Sequence, residues 1–249
     1  MQNRRIAAIA TFAVALIICS TAHAQDKNAA ATQPPKTDMK GAVPDLTGVW
    51  YMKRGNYDFA SFSKGDPPMT AWGRKQFLAA KPSQGPRSVP LQDTNDMVYK
   101  CYSPGMPYIY LQLFPVQIVQ TPTEVIELFE YDHSVRHIHL NSKHPDVITP
   151  TYMGDSIGHY EGDTLVVDTV GLNGKTWLDR LGHPNSDQMH IIEHIRRTTK
   201  TNLRVDFTFE DPKSYTRTWT AEMNFLLHPN WHIMEDMCMD NIAFEKFEK

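Results

Sequence analysis

Val116-Gln117-Ile118-Val119-Gln120, then Thr121-Pro122-Thr123, then Glu124-Val125-Ile126-Glu127-Leu128-Phe129-Glu130 decide the fold. Apolar residues alternate with polar ones on both sides of a short, proline-containing break. Period two is the strand period, and a break of this size joins two strands as a hairpin. Working outward, strand-like runs recur at residues 135–140, 157–160, 164–169, 188–198, 203–209, 216–225 and 231–235. Glu161-Gly162-Asp163 is a second turn signal. Turns recur at short spacing with no long amphipathic helix between them. The expectation is an all-β, antiparallel barrel or sandwich, with a closed barrel around a ligand-sized interior preferred.

Towards the N-terminus the character changes. Arg4 and Arg5 precede an apolar run from Ile6 to Ile18, and Ala22-His23-Ala24 supplies small residues around a cleavage point. That order describes a secretory signal peptide over residues 1–24; the apolar run is short for a membrane span. A lipoprotein signal ending at Cys19 has the right spacing but places bulky Ile18 where a small residue belongs. Residues 25–43 are mostly Ala, Gln, Pro, Lys and Asp and read as a disordered leader. Residues 44–249 read as one barrel-like domain. Thr70 is positioned to cap a short helix through Trp72, Phe77 and Leu78, and residues 83–107 read as a long loop.

The formal charge of −3 becomes −5 once Arg4 and Arg5 leave with the signal peptide, which contains no acid. A mildly acidic chain lacks the electrostatic footprint of a nucleic-acid or anionic-lipid binder. No later segment approaches the ~20 apolar residues of a spanning helix, so no stable membrane insertion is expected, and export points to the periplasm or beyond. Of three cysteines, cleavage leaves Cys101 and Cys238. In an oxidising compartment an even pair points to a disulfide, two buried thiols being the alternative.

The stretch Gly154-Asp155-Ser156-Ile157-Gly158-His159-Tyr160-Glu161-Gly162-Asp163-Thr164-Leu165-Val166-Val167-Asp168-Thr169 resembles a largely uncharacterised family of exported bacterial proteins. The resemblance continues through Gly171-Leu172-Asn173, Thr176-Trp177-Leu178-Asp179 and Gly182-His183-Pro184 to Glu235 and Cys238. It implies export and a strand-turn-strand unit, and no particular activity. Members often carry Arg-Trp in place of His159-Tyr160, Asp-Gly in place of Asn141-Ser142, and His in place of Asn185. Gly48-Val49-Trp50 separately resembles the first-strand Gly-x-Trp of lipocalin-like (calycin-like) barrels, where the Trp plugs one end.

Several residues are candidates for chemistry. Gly154-Asp155-Ser156-Ile157-Gly158 matches G-x-S-x-G, but a nucleophile elbow needs a helix after the serine, and here a strand follows. Asp168 ends an apolar run; inside a barrel, desolvation would tune it for proton transfer. Asp179, His183 and His190 are the other acid–base candidates, with Arg136 as an oxyanion or carboxylate partner. Glu193 reads as a structural partner of Arg196 and Arg197. Trp177, Tyr160, Tyr110 and Asn173 are candidates for substrate binding.

Three functions follow. The first is a periplasmic, cofactor-independent enzyme, a lyase, isomerase or hydrolase, acting on a small apolar or aromatic molecule through carboxylate and histidine. The second is a lipocalin-like carrier of a small hydrophobic ligand. The third is a metal-dependent hydrolase using His137, His139 and His190, since imidazoles two apart on a strand share a face.

Overall fold

In a computed structural model, residues 44–53, 59 and 67–240 are described. The stretches expected as signal peptide and leader, residues 1–24 and 25–43, fall outside them. Nine strands close into one barrel: β1 (Gly48–Met52), β2 (Val116–Gln120), β3 (Glu124–Phe129), β4 (Val135–Leu140), β5 (Asp155–Glu161), β6 (Thr164–Val170), β7 (His190–Thr199), β8 (Asn202–Glu210) and β9 (Trp219–Leu227). Neighbours in sequence are neighbours in the sheet, and β1 pairs with β9 to seal it. Every pairing is antiparallel except β4 with β5, where Ile138 lies opposite Ser156. Parallel neighbours need a crossover of a dozen or so residues, and residues 141–154 supply it. Nine strands with one parallel pair depart from the eight-stranded lipocalin pattern.

Period-two alternation explains the closure. In β3, β6 and β8 every second residue is buried, so one face fills the barrel and the other faces out. Large buried side chains line the interior. Trp50, Tyr108, Phe207, Phe209 and Met223 are at most 1% exposed. Phe207 and Phe209 stack on one another, and Phe59 meets both edge-on. In the Gly-Val-Trp element Trp50 is fully buried, with its indole N–H donating to the Leu46 carbonyl at 2.8 Å. The turn Gly162-Asp163 joins β5 to β6, with Gly162 at φ +62°, the positive φ such hairpins need.

The expected strand at 231–235 does not form. Because β9 already pairs with both β8 and β1, neither of its edges is left for another strand. Trp231 instead stacks on His228 and packs against Tyr51. The long loop after the helix is tied down as expected: Cys101 and Cys238 form a disulfide across a sequence separation of 137. In the chain-entropy account a loop of that length gives roughly 4–5 kcal/mol.

The helix α1 (Ala71–Ala79) starts at Thr70, whose hydroxyl accepts the Gly73 N–H at 3.0 Å. Thr70 also donates its own N–H to the Ser214 carbonyl. Gly73 is required here by contact: a Cβ would lie 2.2 Å from the Ser214 carbonyl oxygen. The helix therefore lies hard against the segment between β8 and β9. Among the described residues no helix is long and apolar enough to cross a membrane.

Candidate functional site

The sequence candidates separate into three places. The first is the barrel interior. Arg136 of β4 is buried with Glu127 of β3 and Glu193 of β7, 3.1 Å from Glu127 and in contact with both Glu193 oxygens. Its Nε donates to Ser156 Oγ at 3.1 Å and its Nη2 to Thr169 Oγ1 at 2.8 Å. The Tyr110 hydroxyl donates to Glu127 at 2.6 Å and accepts from Arg136 at 3.1 Å. Burial alone would pull the Arg136 guanidinium down, but Glu193, Tyr110 and Glu127 hold it well above its usual value. Burial, with Glu193's charge, pushes the Glu127 carboxyl up against Arg136's opposing pull.

Arg136 and Tyr110 are thus fully engaged in holding the barrel's polar centre. Glu193 pairs with Arg136, not with Arg196 or Arg197. Alternation puts Glu193 inside and Arg196 outside, while Arg197 reaches the Lys200 and Asp45 carbonyls. Ser156 is an interior strand residue, 3% exposed, so G-x-S-x-G here is no elbow. Gly154 is needed for the turn into β5: at φ +70°, a Cβ would meet the Val170 carbonyl oxygen at 2.6 Å.

The second place is the outer face of β5 to β8. Asp168 points out, 41% exposed. Its Oδ1 lies 2.9 Å from His190 Nε2 and 3.3 Å from His144 Nε2. The far nitrogens face further acids: His144 Nδ1 is 2.5 Å from Asp155, and His190 Nδ1 is 3.4 Å from Glu210. Five residues form a carboxylate–imidazole ladder, of which sequence reasoning found Asp168 and His190. His144 arrives from the crossover loop, which no periodicity places. His137 and His139 instead meet Glu124 on the outside of β4, at 3.0 and 4.0 Å, so the trio of His137, His139 and His190 does not assemble. No group of three metal-ligating side chains positioned to hold an ion is found among the described residues.

The third place is a cleft beside α1, with a volume of about 230 Å³. Trp72 and Gln76 of the helix form one wall; Lys175, Thr176, Trp177 and Asn185 form much of the other. The walls are rigid for identifiable reasons. Arg87 donates to the Phe77, Ala80 and Leu181 carbonyls at 2.6, 3.1 and 2.7 Å, joining helix end to loop. Its guanidinium lies 3.7 Å from the centre of the Phe77 ring, and His183 stacks on that same ring at 4.7 Å. Burial pulls Arg87 below its usual value, with the Asp179 charge opposing. Asp179 is fully buried and accepts from the Leu181 and His183 amides while its other oxygen meets His183 Nδ1 at 2.6 Å. Asp179 and His183 are indeed partners, behind the cleft wall rather than on its surface. Tyr215 donates to the Pro184 carbonyl and Asp211 holds Ser186, which fixes both flanks of Asn185.

Asn185 is 6% exposed, and its Oδ1 has no hydrogen-bond partner among the described residues. A buried amide oxygen left unpaired costs about 1–3 kcal/mol; Asn185 lines the cleft, with that oxygen itself shielded from the open space. Of the expected binding residues, Trp177 lines this cleft. Asn173 is next to it, using its Oδ1 to accept the Lys175 amide at 3.0 Å. Tyr160 accepts from Gln120 at 2.6 Å on β5, with burial pushing its phenol up, and Tyr110 is interior. Trp72, Lys175 and Asn185 were not legible as site residues, because only docking of α1 brings the helix and the 174–185 segment together. No family model and no curated protein sequence matches the chain.

Proposed function

We propose that this is an exported small-molecule-binding protein, of the bacterial family its strand-turn-strand motif resembles. Its ligand sits in the cleft between α1 and residues 174–185, outside the barrel rather than within it. The observation that carries this reading is the cleft of about 230 Å³, with half-buried Trp72 on one wall and half-buried Trp177 beside Lys175 and Asn185 on the other. Sites of this kind pair aromatic surface with a few fixed polar groups. The disulfide and the leader both support a periplasmic or secreted location.

The test is thermal unfolding of the full chain with a panel of single-ring aromatics and monosaccharides. A ligand at a hundred times its Kd adds about 2.7 kcal/mol, a rise in Tm of roughly 5–10 °C for a chain of this size. Trp177→Ala abolishes the rise if the cleft is the site; a rise of equal size in the variant places the ligand elsewhere.

A second reading, cofactor-independent acid–base catalysis, rests on Asp168, a partly exposed carboxylate shared by two imidazoles. Mass analysis of the ligand after incubation separates the two: unchanged ligand supports carriage, and conversion that Asp168→Asn removes supports catalysis.

A further inference from the structure

Methionine serves the core in this chain, with one exception. Among the described residues Met52, Met106, Met189 and Met223 are buried, and Met69, Met97 and Met153 are half-buried. Met234, Met237 and Met239 are instead 69%, 41% and 63% exposed. Burying a methionine is worth about 1.5–3 kcal/mol, so three thioethers left in water within six residues stand against the hydrophobic trend. The backbone that carries them is pinned. The Met234 N–H donates to Glu130 Oε2 at 2.8 Å, Asp236 Oδ2 accepts the Asp132 N–H at 3.2 Å, and the Asp240 N–H donates to the Met237 carbonyl at 3.0 Å. Cys238 is joined to Cys101, so neither of these cysteines offers a thiolate. The segment is no continuous apolar patch either. Glu235, Asp236 and Asp240 interrupt it, and residues 231–240 contain no lysine or arginine, a balance that draws cations.

We infer that Met234, Met237 and Met239 together bind one soft monovalent cation, Cu(I) or its analogue Ag(I). Thioether sulfur is a soft donor that selects Cu(I), whereas carboxylate suits Mg and Ca. No cluster of His, Cys, Asp and Glu is placed to hold an ion among the described residues, and a thioether is a donor of another kind. Reach permits a shared ion. Alpha carbons two and three positions apart are separated by at most about 7 and 11 Å, and each thioether hangs on an unbranched side chain with three rotatable bonds. The pinned backbone keeps the three side chains close to one another before any ion arrives. None of these residues lines the cleft beside α1, so the cation site stands or falls separately from the ligand proposed there.

The test is titration of the full chain, carbon-13-labelled at the methionine methyls, with Ag(I) in chloride-free buffer, followed by NMR. The expected result is that the methyl signals of Met234, Met237 and Met239 shift together and stop shifting at one equivalent, while those of Met106, Met189 and Met223 stay in place. Zn(II) at the same concentration moves none of the three. Leucine is close to methionine in volume and is tolerated even in cores, so replacement at these exposed positions leaves the fold intact. Each single variant, Met234→Leu, Met237→Leu or Met239→Leu, weakens Ag(I) binding by about tenfold, and the triple variant loses it. Cu(I) presented as its bicinchoninate complex passes to the wild-type chain and not to the triple variant. Saturation at three equivalents overturns the inference, because each sulfur then binds alone. Undiminished binding by the triple variant overturns it by putting the ion on other groups. Free thiol appearing along with the shifts also overturns it, since the ion has then opened the Cys101–Cys238 disulfide instead.

Discussion

The barrel interior and the outer face of β5 to β8 are built from the same chemistry and arranged to opposite effect. Inside, Arg136, Glu127 and Glu193 are each at most 2% exposed and every polar contact is made to a fixed neighbour. Outside, the side chains of His144, Asp155, Asp168, His190 and Glu210 range from 21% to 62% exposed. Thr169 and Asp168 are adjacent in sequence, yet one serves the interior cluster and the other the ladder. The difference is medium rather than composition. Losing one member of a buried ion cluster strands its partners without water, whereas water re-solvates the survivors on a surface.

Arg136→Met sharpens that contrast most. It leaves two carboxylates facing one another in the core, and a loss of about 3–5 kcal/mol is expected by urea unfolding. If the loss is no greater than for a ladder residue, the distinction between the two regions fails. Ser156→Ala removes the acceptor of Arg136 Nε, and about 1–3 kcal/mol should go with it. Because Ser156 is a strut, this variant should keep whatever ligand response the wild-type chain has.

The third prediction concerns pH. The Glu127 carboxyl is raised by burial above its usual 4.5, so the folded state holds its proton more tightly than the unfolded chain does. That contribution to stability is fully present below about pH 4.5 and is lost as pH rises through the raised folded value. Stability curves of wild type and Glu127→Gln should therefore diverge in slope across that window, the wild type falling relative to the variant. Parallel curves would mean that Glu127 titrates as it does in water. The smallest effect is expected outside: Asp168→Asn should change stability by about 1 kcal/mol or less, and less still in high salt.

How much of this was legible in the sequence varies by element. The strands β2, β3, β4 and β6 follow directly from alternation, and the turns from Pro122 and Gly162. The disulfide followed from counting cysteines against compartment. The run at 231–235 has strand-like residues but no free edge to join, which alternation alone does not reveal. Asp168 was recognised as an acid on an apolar strand, while its side of the sheet depended on where the barrel closed. Pairing of Asp179 with His183 is local, four residues apart; its seclusion behind Phe77 and Arg87 is not.

The sequence by itself determined the strands, their turns, the helix cap at Thr70 and the cysteine pair, because these depend on neighbours a few residues apart or on composition. Only the tertiary structure decided which face of each strand became the interior, that Arg136 answers to Glu193 fifty-seven positions away, and that α1 and residues 174–185 enclose a cleft. The physical reason is that period two marks two faces without saying which is inside. That choice is made when closure of β1 on β9 removes one face from water, and when Gly73 lets the helix touch the Ser214 backbone.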